Sequence, residues 1–239
     1  MTILLTGGSR GLGEAIMRQL AAFEDNSILF TYAKNIAVAE DLEKKYRNTK
    51  AFYCDFTDTG SVNSFIENIQ PYNIDVLINN AMSKPSVGHF HKTASFDFLK
   101  SFEVNIVPVI KITSAVIKDF RKKKSGKIIN IISSYVINKP PIGLSAYVAN
   151  KNYLLSLSKS WAAENIRFNI SSNCVSPSFM ATDFTSDIDE RIIEQMIDAH
   201  PLKRLVTPEE VAEAVVFLTS CSAHINGINL LINAGSDIA

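Results

Sequence analysis

In the stretch SAYVANK, residues 145–151, a tyrosine and a lysine stand four places apart. On a helix that spacing puts both side chains on one face, with roughly 5–6 Å between Cβ atoms. A cation so placed favours the phenolate and lowers a phenol's pKa from about 10. A phenol tuned this way can donate or accept a proton near neutral pH. Tyr147 and Lys151 are therefore candidates for acid–base chemistry, and the expectation is a Tyr147 hydroxyl made ionisable by the Lys151 ammonium. Taken alone, the pair reads first as an ordinary amphipathic helix with a half-buried Tyr and a solvated Lys.

A second group of residues changes those odds. The first apolar run leads into TGGSRGLG, residues 6–13, where Gly7, Gly11 and Gly13 follow a strand pattern and open a helix pattern. Glycine lets the backbone approach a phosphate and permits φ > 0, and a helix N-terminus offers free N–H groups and partial positive charge to a pyrophosphate. Strand, turn and helix in that order point to a dinucleotide. A site for NAD usually carries an acid about 20 residues on, bonding the ribose 2′-OH. Here the second run ends FTYAKN, with Tyr32 and Lys34 and no carboxylate before Glu40, while Arg10 lies inside the turn. Two cations and no acid suit a 2′-phosphate and favour NADP(H); solvated surface charges are the other reading of Arg10 and Lys34.

Elements must hold these groups in place. Apolar runs at 2–6, 27–32, 50–54, 75–80, 126–132, 169–175 and 228–233 predict strands, most of them apolar throughout, as for strands covered on both faces. Between them lie helix patterns at Leu12–Phe23, Ala37–Arg47, Ser61–Ile69, Phe96–Lys124, Ala146–Glu164 and Pro208–Ser220. The alternation predicts an α/β fold with a doubly wound parallel sheet of about seven strands and helices on both faces. No repeat or Pro/Gly linker divides residues 1–239, so a single domain is expected. The irregular stretch near 178–205 is expected to be a functional lid over the substrate.

Bulk properties narrow the function. Lys plus Arg equals Asp plus Glu at 24 each, giving zero formal charge, which argues against nucleic acid or an anionic membrane. Cys54, Cys174 and Cys221 are widely spaced and make neither a disulfide framework nor a zinc site, so a reducing compartment is expected. The opening apolar run is too short for a signal peptide and no run approaches the roughly 20 apolar residues of a membrane span; the expectation is a cytoplasmic protein. His89-x-His91 lacks further ligands, so no metal is assigned. The basic run 121–124 suits a helix C-terminus followed by Gly126, and Pro140-Pro141 stiffens the loop before Tyr147.

With these residues in view, the chain resembles the short-chain dehydrogenase/reductase family over essentially its whole length. The motifs run in order: TGGSRGLG at 6–13, Cys54-Asp55, NNA at 79–81, Asn105 in FEVNIVP, Ser133-Ser134, Tyr147-x-x-x-Lys151, Pro177 with Thr182 five places later, and PLKRLVTPEEVAEAVVFL with INGINLLINAG near the end. Within the family it is most similar to β-ketoacyl-acyl-carrier-protein reductases. The resemblance implies a Rossmann-like fold and NADPH-dependent reduction of a ketone to a secondary alcohol. The substrate would be a small ketone or acyl thioester, in one version carried on an acyl carrier protein. Tyr147 would donate the proton, Lys151 would lower its pKa and hold the nicotinamide ribose, and Asn105 would hold a relay water. A serine would orient the carbonyl. The family's usual interval of thirteen positions selects Ser134, while counting from Asn130 along the strand selects Ser133. For the cofactor, the turn Gly7, Gly8, Ser9, Arg10, Gly11, Leu12 and Gly13 would take the pyrophosphate. Tyr32, Lys34, Asp55, Phe56, Asn79, Asn80 and Ala81 would line the adenosine side. Pro177, the Met180 backbone and Thr182 would meet the carboxamide end.

The resemblance also implies a homotetramer or homodimer formed by the helices at 96–124 and 147–164, with Ile106, Val109, Leu154 and Leu157 as interface or core. Met82 and Ser178 stand where the family has glycine, and Ala234 interrupts its Asp-Gly-Gly ending. If Met82 or Ser178 needs φ > 0, the strain is of order 1 kcal/mol. Those two changes are the support for a different function class, an NADP-binding regulatory or assembly protein of the same fold with reduced catalysis.

Overall fold

The computed structural model describes residues 1–137, 139–182, 185 and 188–236. In chain order its elements are β1 Thr2–Leu5, α1 Gly11–Ala21, β2 Ser27–Tyr32, α2 Ile36–Lys45, β3 Thr49–Tyr53, α3 Thr59–Ile69 and β4 Val76–Asn79. There follow α4 Ser95–Asn105, α5 Val107–Lys123, β5 Gly126–Ile131, α6 Ser145–Asn165, β6 Ile170–Pro177, α7 Glu190–Ala199, α8 Pro208–Ser220 and β7 Asn229–Ile232. The seven strands form one sheet in the order β3-β2-β1-β4-β5-β6-β7, parallel at every pairing. The predicted α/β doubly wound architecture is the one found.

Alternation along each strand builds the two layers. Ile3 and Leu5 of β1 pack with α1 and α8 on one face, joined by Phe30 and Ile78. Leu4, between them, packs with Leu29, Leu77 and the α3 and α5 residues Phe65, Ile112 and Phe120 on the other. A smaller cluster joins Ile106, Val109 and Ile132 to Leu154 of α6. Strand order reverses between β1 and β4, and the crevice above their C-terminal ends is where an open α/β sheet receives a ligand.

The predicted helix 96–124 is two helices. Pro108, in the first turn of α5, has no N–H for the carbonyl one turn back, and the chain breaks at Ile106, with φ −106 and ψ −44. The break leaves Asn105 as the last residue of α4. The basic run closes α5 as expected, with Lys122 on Asp119 at 2.9 Å and Lys123 on Asp75 at 2.8 Å. A helix the sequence reading did not anticipate, α7, occupies the stretch expected to be irregular, capped by the Asp189 carboxylate accepting from Arg191 N. Of the expected lid, residues 183–184 and 186–187 lie outside the described residues.

Neither Met82 nor Ser178 lies in left-handed backbone; among the described residues the non-glycine residues that do are Lys124, Asn169, Lys203 and Ala234. The expected strain therefore falls elsewhere, on Ala234 at φ 51 and on Lys124 at φ 53, the residue that ends α5. Left-handed backbone costs an L-residue roughly 1–2 kcal/mol, partly offset by the greater entropy glycine loses on folding. We expect Ala234→Gly and Lys124→Gly each to raise unfolding free energy by about 0.5–1 kcal/mol in urea titrations; destabilisation by either would contradict the backbone assignment.

Candidate active site

The crevice at the reversal point is stitched together by polar groups from β1, β2 and β4. Thr6 Oγ1 accepts from the backbone N–H of Asn80 and of Ala81, both at 3.0 Å. Gly7 N donates to Thr31 Oγ1 at 2.8 Å, and Asn80 Nδ2 donates to the carbonyls of Thr6 at 3.0 Å and Gly7 at 2.9 Å. This sets the glycine turn. Gly7 lies at φ +70, and a Cβ at Gly13 would stand 1.8 Å from the Gly7 carbonyl oxygen. Arg10, the N-cap of α1, is extended and gives no side-chain acceptor to the first turn. The N–H groups that open α1 are therefore not capped by a side chain, and a turn that a Cβ would fill lies against them. These residues fit a dinucleotide pyrophosphate.

The other cofactor candidates divide. Tyr32 ends β2, its ring 5.9 Å from that of Tyr53, and Lys34 and Arg10 are exposed beyond it. Asp55 is half-buried, and its Oδ1 accepts from both N–H and hydroxyl of Thr57 at 2.8 Å. Phe56 packs into the core with its ring partly exposed. Asn79 turns its amide inward, donating to Thr113 Oγ1 at 3.0 Å and Asn130 Oδ1 at 2.9 Å, so it braces the sheet beneath the cleft. Asn80 holds the glycine turn, and Ala81 lies against Gly7. On the far side Pro177 ends β6, the Met180 carbonyl accepts from Thr185 Oγ1 at 2.9 Å, and Thr182 approaches Gly11. The chain leaving β6 thus passes over the turn.

Tyr147 and Lys151 share one face of α6, as their spacing predicts. The Lys151 Nζ is 5.8 Å from the Tyr147 ring centroid and donates to the Ile131 carbonyl at 2.7 Å. Lys151 is 6% exposed and lies beside Asn105, Met82 and Ile131 in the wall of the cleft. The serine hydrogen-bonded to the Tyr147 hydroxyl is Ser133. Ser134, selected by the thirteen-residue interval, instead begins a short 3-10 turn, and the Ser133 hydroxyl accepts from the N–H of Tyr135. The backbone stays extended through Ser133, at φ −170, and coils immediately after it, so Ser133 is the last residue that can face α6 across the strand end.

The electrostatics reverse the expected direction. Burial is the dominant influence on the Tyr147 hydroxyl and pushes it up to about 12, against a smaller lowering by the Ser133 hydrogen bond. The Lys151 ammonium is the group brought toward neutrality: burial lowers it from 10.5 to about 8. Desolvation penalises whichever form carries charge, and here neither group is among the causes of the other's shift. Cys174, close enough to raise the Lys151 value slightly, is itself pushed up to about 11 by burial.

His89 and His91 lie with ring centroids 5.7 Å apart, and no group of three metal-ligating side chains occurs among the described residues. Among them too, no helix is long and apolar enough to cross a membrane. The sequence reading missed the Ile131 carbonyl that receives Lys151 and the Thr6 and Thr31 hydroxyls that hold the turn. Only Thr6, at the strand end before the glycines, left a signal in the sequence.

Residues 7–237 match the family model described as enoyl-(acyl carrier protein) reductase. The chain is 34% identical over 232 residues to carbonyl reductase family member 4 of Xenopus laevis, covering 96% of this chain and 94% of that protein. It is 32% identical over 242 residues to the 3-oxoacyl-[acyl-carrier-protein] reductase FabG of Aquifex aeolicus, covering 97% and 95%. Among solved structures it is similar to a variant actinorhodin polyketide ketoreductase with NADPH, with TM-score 0.88, 25% identity, and coverage of 98% and 96%.

Burial of Lys151 has a measurable consequence. The unfolded chain holds this proton up to about pH 10.5 and the folded chain releases it near 8, so the cost of burying the ammonium is felt in full below about pH 8 and fades as the pH rises toward 10.5. We expect Lys151→Met to stabilise the ligand-free protein at pH 7 by roughly 2 kcal/mol, after allowing for the lost hydrogen bond. The gain should shrink between pH 8 and pH 10.5; a gain independent of pH, or a loss at pH 7, would contradict the assignment.

Proposed function

The chain belongs to the short-chain dehydrogenase/reductase family of oxidoreductases, and from that membership we propose that it reduces a ketone to a secondary alcohol with NADPH. The observation that carries the reading is a proton-transfer set, Ser133, Tyr147 and Lys151, beside a glycine turn built for pyrophosphate. When bound, the nicotinamide cofactor supplies the hydride. The turn Gly7–Gly13 would hold its pyrophosphate, Asp55 and Phe56 its adenine end, and Pro177, Met180 and Thr182 its carboxamide end. The uncapped N-terminus of α1 and the passage of Thr182 over Gly11 support that placement. Arg10 and Lys34, with no acid between Tyr32 and Glu40, support a 2′-phosphate and hence NADPH over NADH.

The chain's own residues divide the work. Ser133 fixes the orientation of the Tyr147 hydroxyl and offers a second hydrogen bond to the substrate oxygen. Tyr147, its neutral form favoured by burial, donates the proton to that oxygen. Lys151 keeps the neighbourhood cationic and is the proton source whose affinity lies nearest neutrality. Asn105, at the break between α4 and α5, would hold the water that resupplies it.

The relatives support two substrate classes. One is a 3-oxoacyl thioester, including one presented by an acyl carrier protein, in keeping with the Aquifex aeolicus relative; the other is a free ketone, in keeping with the carbonyl reductase. A cytoplasmic setting and a homotetramer (or homodimer) belong to the same proposal. Ile106, Val109 and Leu154 are core residues, whereas Phe96, Leu99 and Tyr153 are the exposed apolar residues of α4 and α6 that would support assembly. Neither Met82 nor Ser178 lies in left-handed backbone, so backbone strain does not favour the alternative of reduced catalysis.

Turnover of acyl thioesters and free ketones with NADPH and with NADH tests the proposal. We expect NADPH oxidation that Tyr147→Phe lowers at least about 100-fold. We also expect kcat/KM for reduction to fall above about pH 8, as Lys151 loses its proton. Saturable NADPH binding without turnover on any ketone, or a profile flat from pH 6 to pH 10, would overturn it.

A further inference from the structure

Apolar packing sets helix α4 against α6 through the edge-to-face pair Phe102 and Tyr153 at 5.0 Å and the buried Leu154. Apolar contacts are non-directional. A helix seated only on them is free to slide by fractions of an ångström, and Lys151 rides on that helix. A directional link runs across the same joint. Asn105 Oδ1 accepts from the backbone N–H of Ser83 at 2.8 Å and from its hydroxyl at 2.9 Å. Asn105 Nδ2 donates to the Ser101 carbonyl at 2.9 Å, and Asn150 Nδ2 donates to the Ser101 hydroxyl at 3.0 Å.

The chain of contacts begins two residues beyond Ala81, in the segment that leaves the glycine turn's partner strand, and ends on the residue immediately before Lys151. Both amides are deeply buried, each 5% exposed. A buried amide is costly unless its bonds are made, and the geometry that makes them is narrow. An amide within the Tyr147–Lys151 turn is therefore an expensive choice for packing alone, since a small apolar residue would fill the same place without that requirement.

Asn105 Oδ1 takes two bonds from Ser83, and Nδ2 gives one of its two N–H groups to the Ser101 carbonyl. Its part at the site is thereby set by where these bonds hold the end of α4. The break at Ile106, caused by Pro108, leaves this end without continuous helix to fix it. The same bonds that position Asn105 also position the turn of α6 that carries Lys151.

We propose that Ser83, Ser101 and Asn150 are positioning residues that lock Asn105 to the Lys151 helix through the hydrogen-bonded link Ser83–Asn105–Ser101–Asn150. They act through Asn105 and Lys151. Their effect is to hold the ammonium, the Ile131 carbonyl and the α4 terminus in one register, so that proton resupply does not wait on helix movement. The inference rests on the ketone-reductase reading for its kinetic consequences, but its structural consequence can be measured without turnover.

The test uses the full chain with Ser101→Ala, Asn150→Ala, the double variant, Ser83→Ala and Ser101→Thr, assayed with NADPH and a ketone the parent protein reduces. Each alanine variant is expected to lower kcat on the order of tenfold, the scale of a small misplacement near the chemistry, with KM for NADPH changed less than about twofold. Because Ser101 and Asn150 act as one link, the double variant should lose no more than the worse single variant. Ser101→Thr, which keeps the hydroxyl, should restore most of kcat. Independently of turnover, nuclear magnetic resonance titration of the Lys151 side chain should move by about half a pH unit or more in Asn150→Ala and in Ser101→Ala.

Unchanged kcat and an unmoved Lys151 titration would overturn the proposal, as would losses that multiply in the double variant. If Asn150→Ala does not fold, Ser101→Ala and Ser83→Ala carry the same comparison. A parent protein that reduces no ketone would sink the functional reading, and the titration would still decide the positioning role.

Discussion

A single buried ammonium organises this site. Lys151 lies almost wholly out of water, with its charge directed at the Ile131 carbonyl at the end of a central strand. Moving a charge from water into a protein interior is expensive unless it is met by hydrogen bonds, and one carbonyl meets it only in part. The deficit appears as a proton held less tightly than on a free lysine. Tyr147 obeys the same rule from the opposite side: its charged form is the anion, so the burial that loosens the lysine proton tightens the phenol's. The pair is thus poised by desolvation, with a neutral donor next to a cation ready to part with its proton. An enzyme can use that arrangement where the substrate oxygen is the group that must be charged.

The remainder of the fold makes this burial possible. Parallel strands bring the ends of β1, β4 and β5 to one edge, so the glycine turn, the Asn79–Asn80 pair and the Ile131 carbonyl converge there. The polar side chains beneath the edge pair with one another: Asn79 with Asn130 and Thr113, Asn130 with Ser158, and Ser158 with Ser172 at 2.8 Å. A bonded network in the interior stiffens what it joins, and this one, in which Asn79 Oδ1 is left without a partner, underlies the strand end on which Lys151 leans. On the other side of the crevice the uncapped start of α1 faces the place where anionic charge would lie, so the site offers positive potential at both ends.

Much of the architecture could be read from the residues alone, for identifiable reasons. Apolar runs such as Val76–Asn79 and Gly126–Ile131 are nearly featureless because they are covered on both faces, and that monotony is itself the sign of a parallel sheet. The glycine turn was legible because only glycine tolerates both φ +70 at Gly7 and the approach at Gly13. The Tyr147–Lys151 pair was legible from its helical spacing. What remained hidden depends on the third dimension. Ser133 and Ser134 are equivalent in a linear pattern, and the choice rests on where the backbone stops being extended. Pro108 carried a signal for the break at Ile106 that the long apolar pattern masked. Helix α7 had one as well, in Asp189 followed by Ile192, Ile193, Met196 and Ile197, but its setting among irregular residues obscured it. Proton affinities were beyond reach, because sequence spacing reveals a neighbour's charge and says nothing of how much water is removed.

The most direct test of the account is titration of Lys151 itself, in the ligand-free protein with lysine isotopically labelled at the ε position and Lys151→Met used to assign the signal. The account predicts an ammonium that loses its proton near pH 8, while the Tyr147 ring signals stay those of a neutral phenol past pH 10. A lysine that titrates near 10.5 together with a tyrosine that ionises below 10 would show that attraction between the two groups outweighs desolvation, and would contradict it.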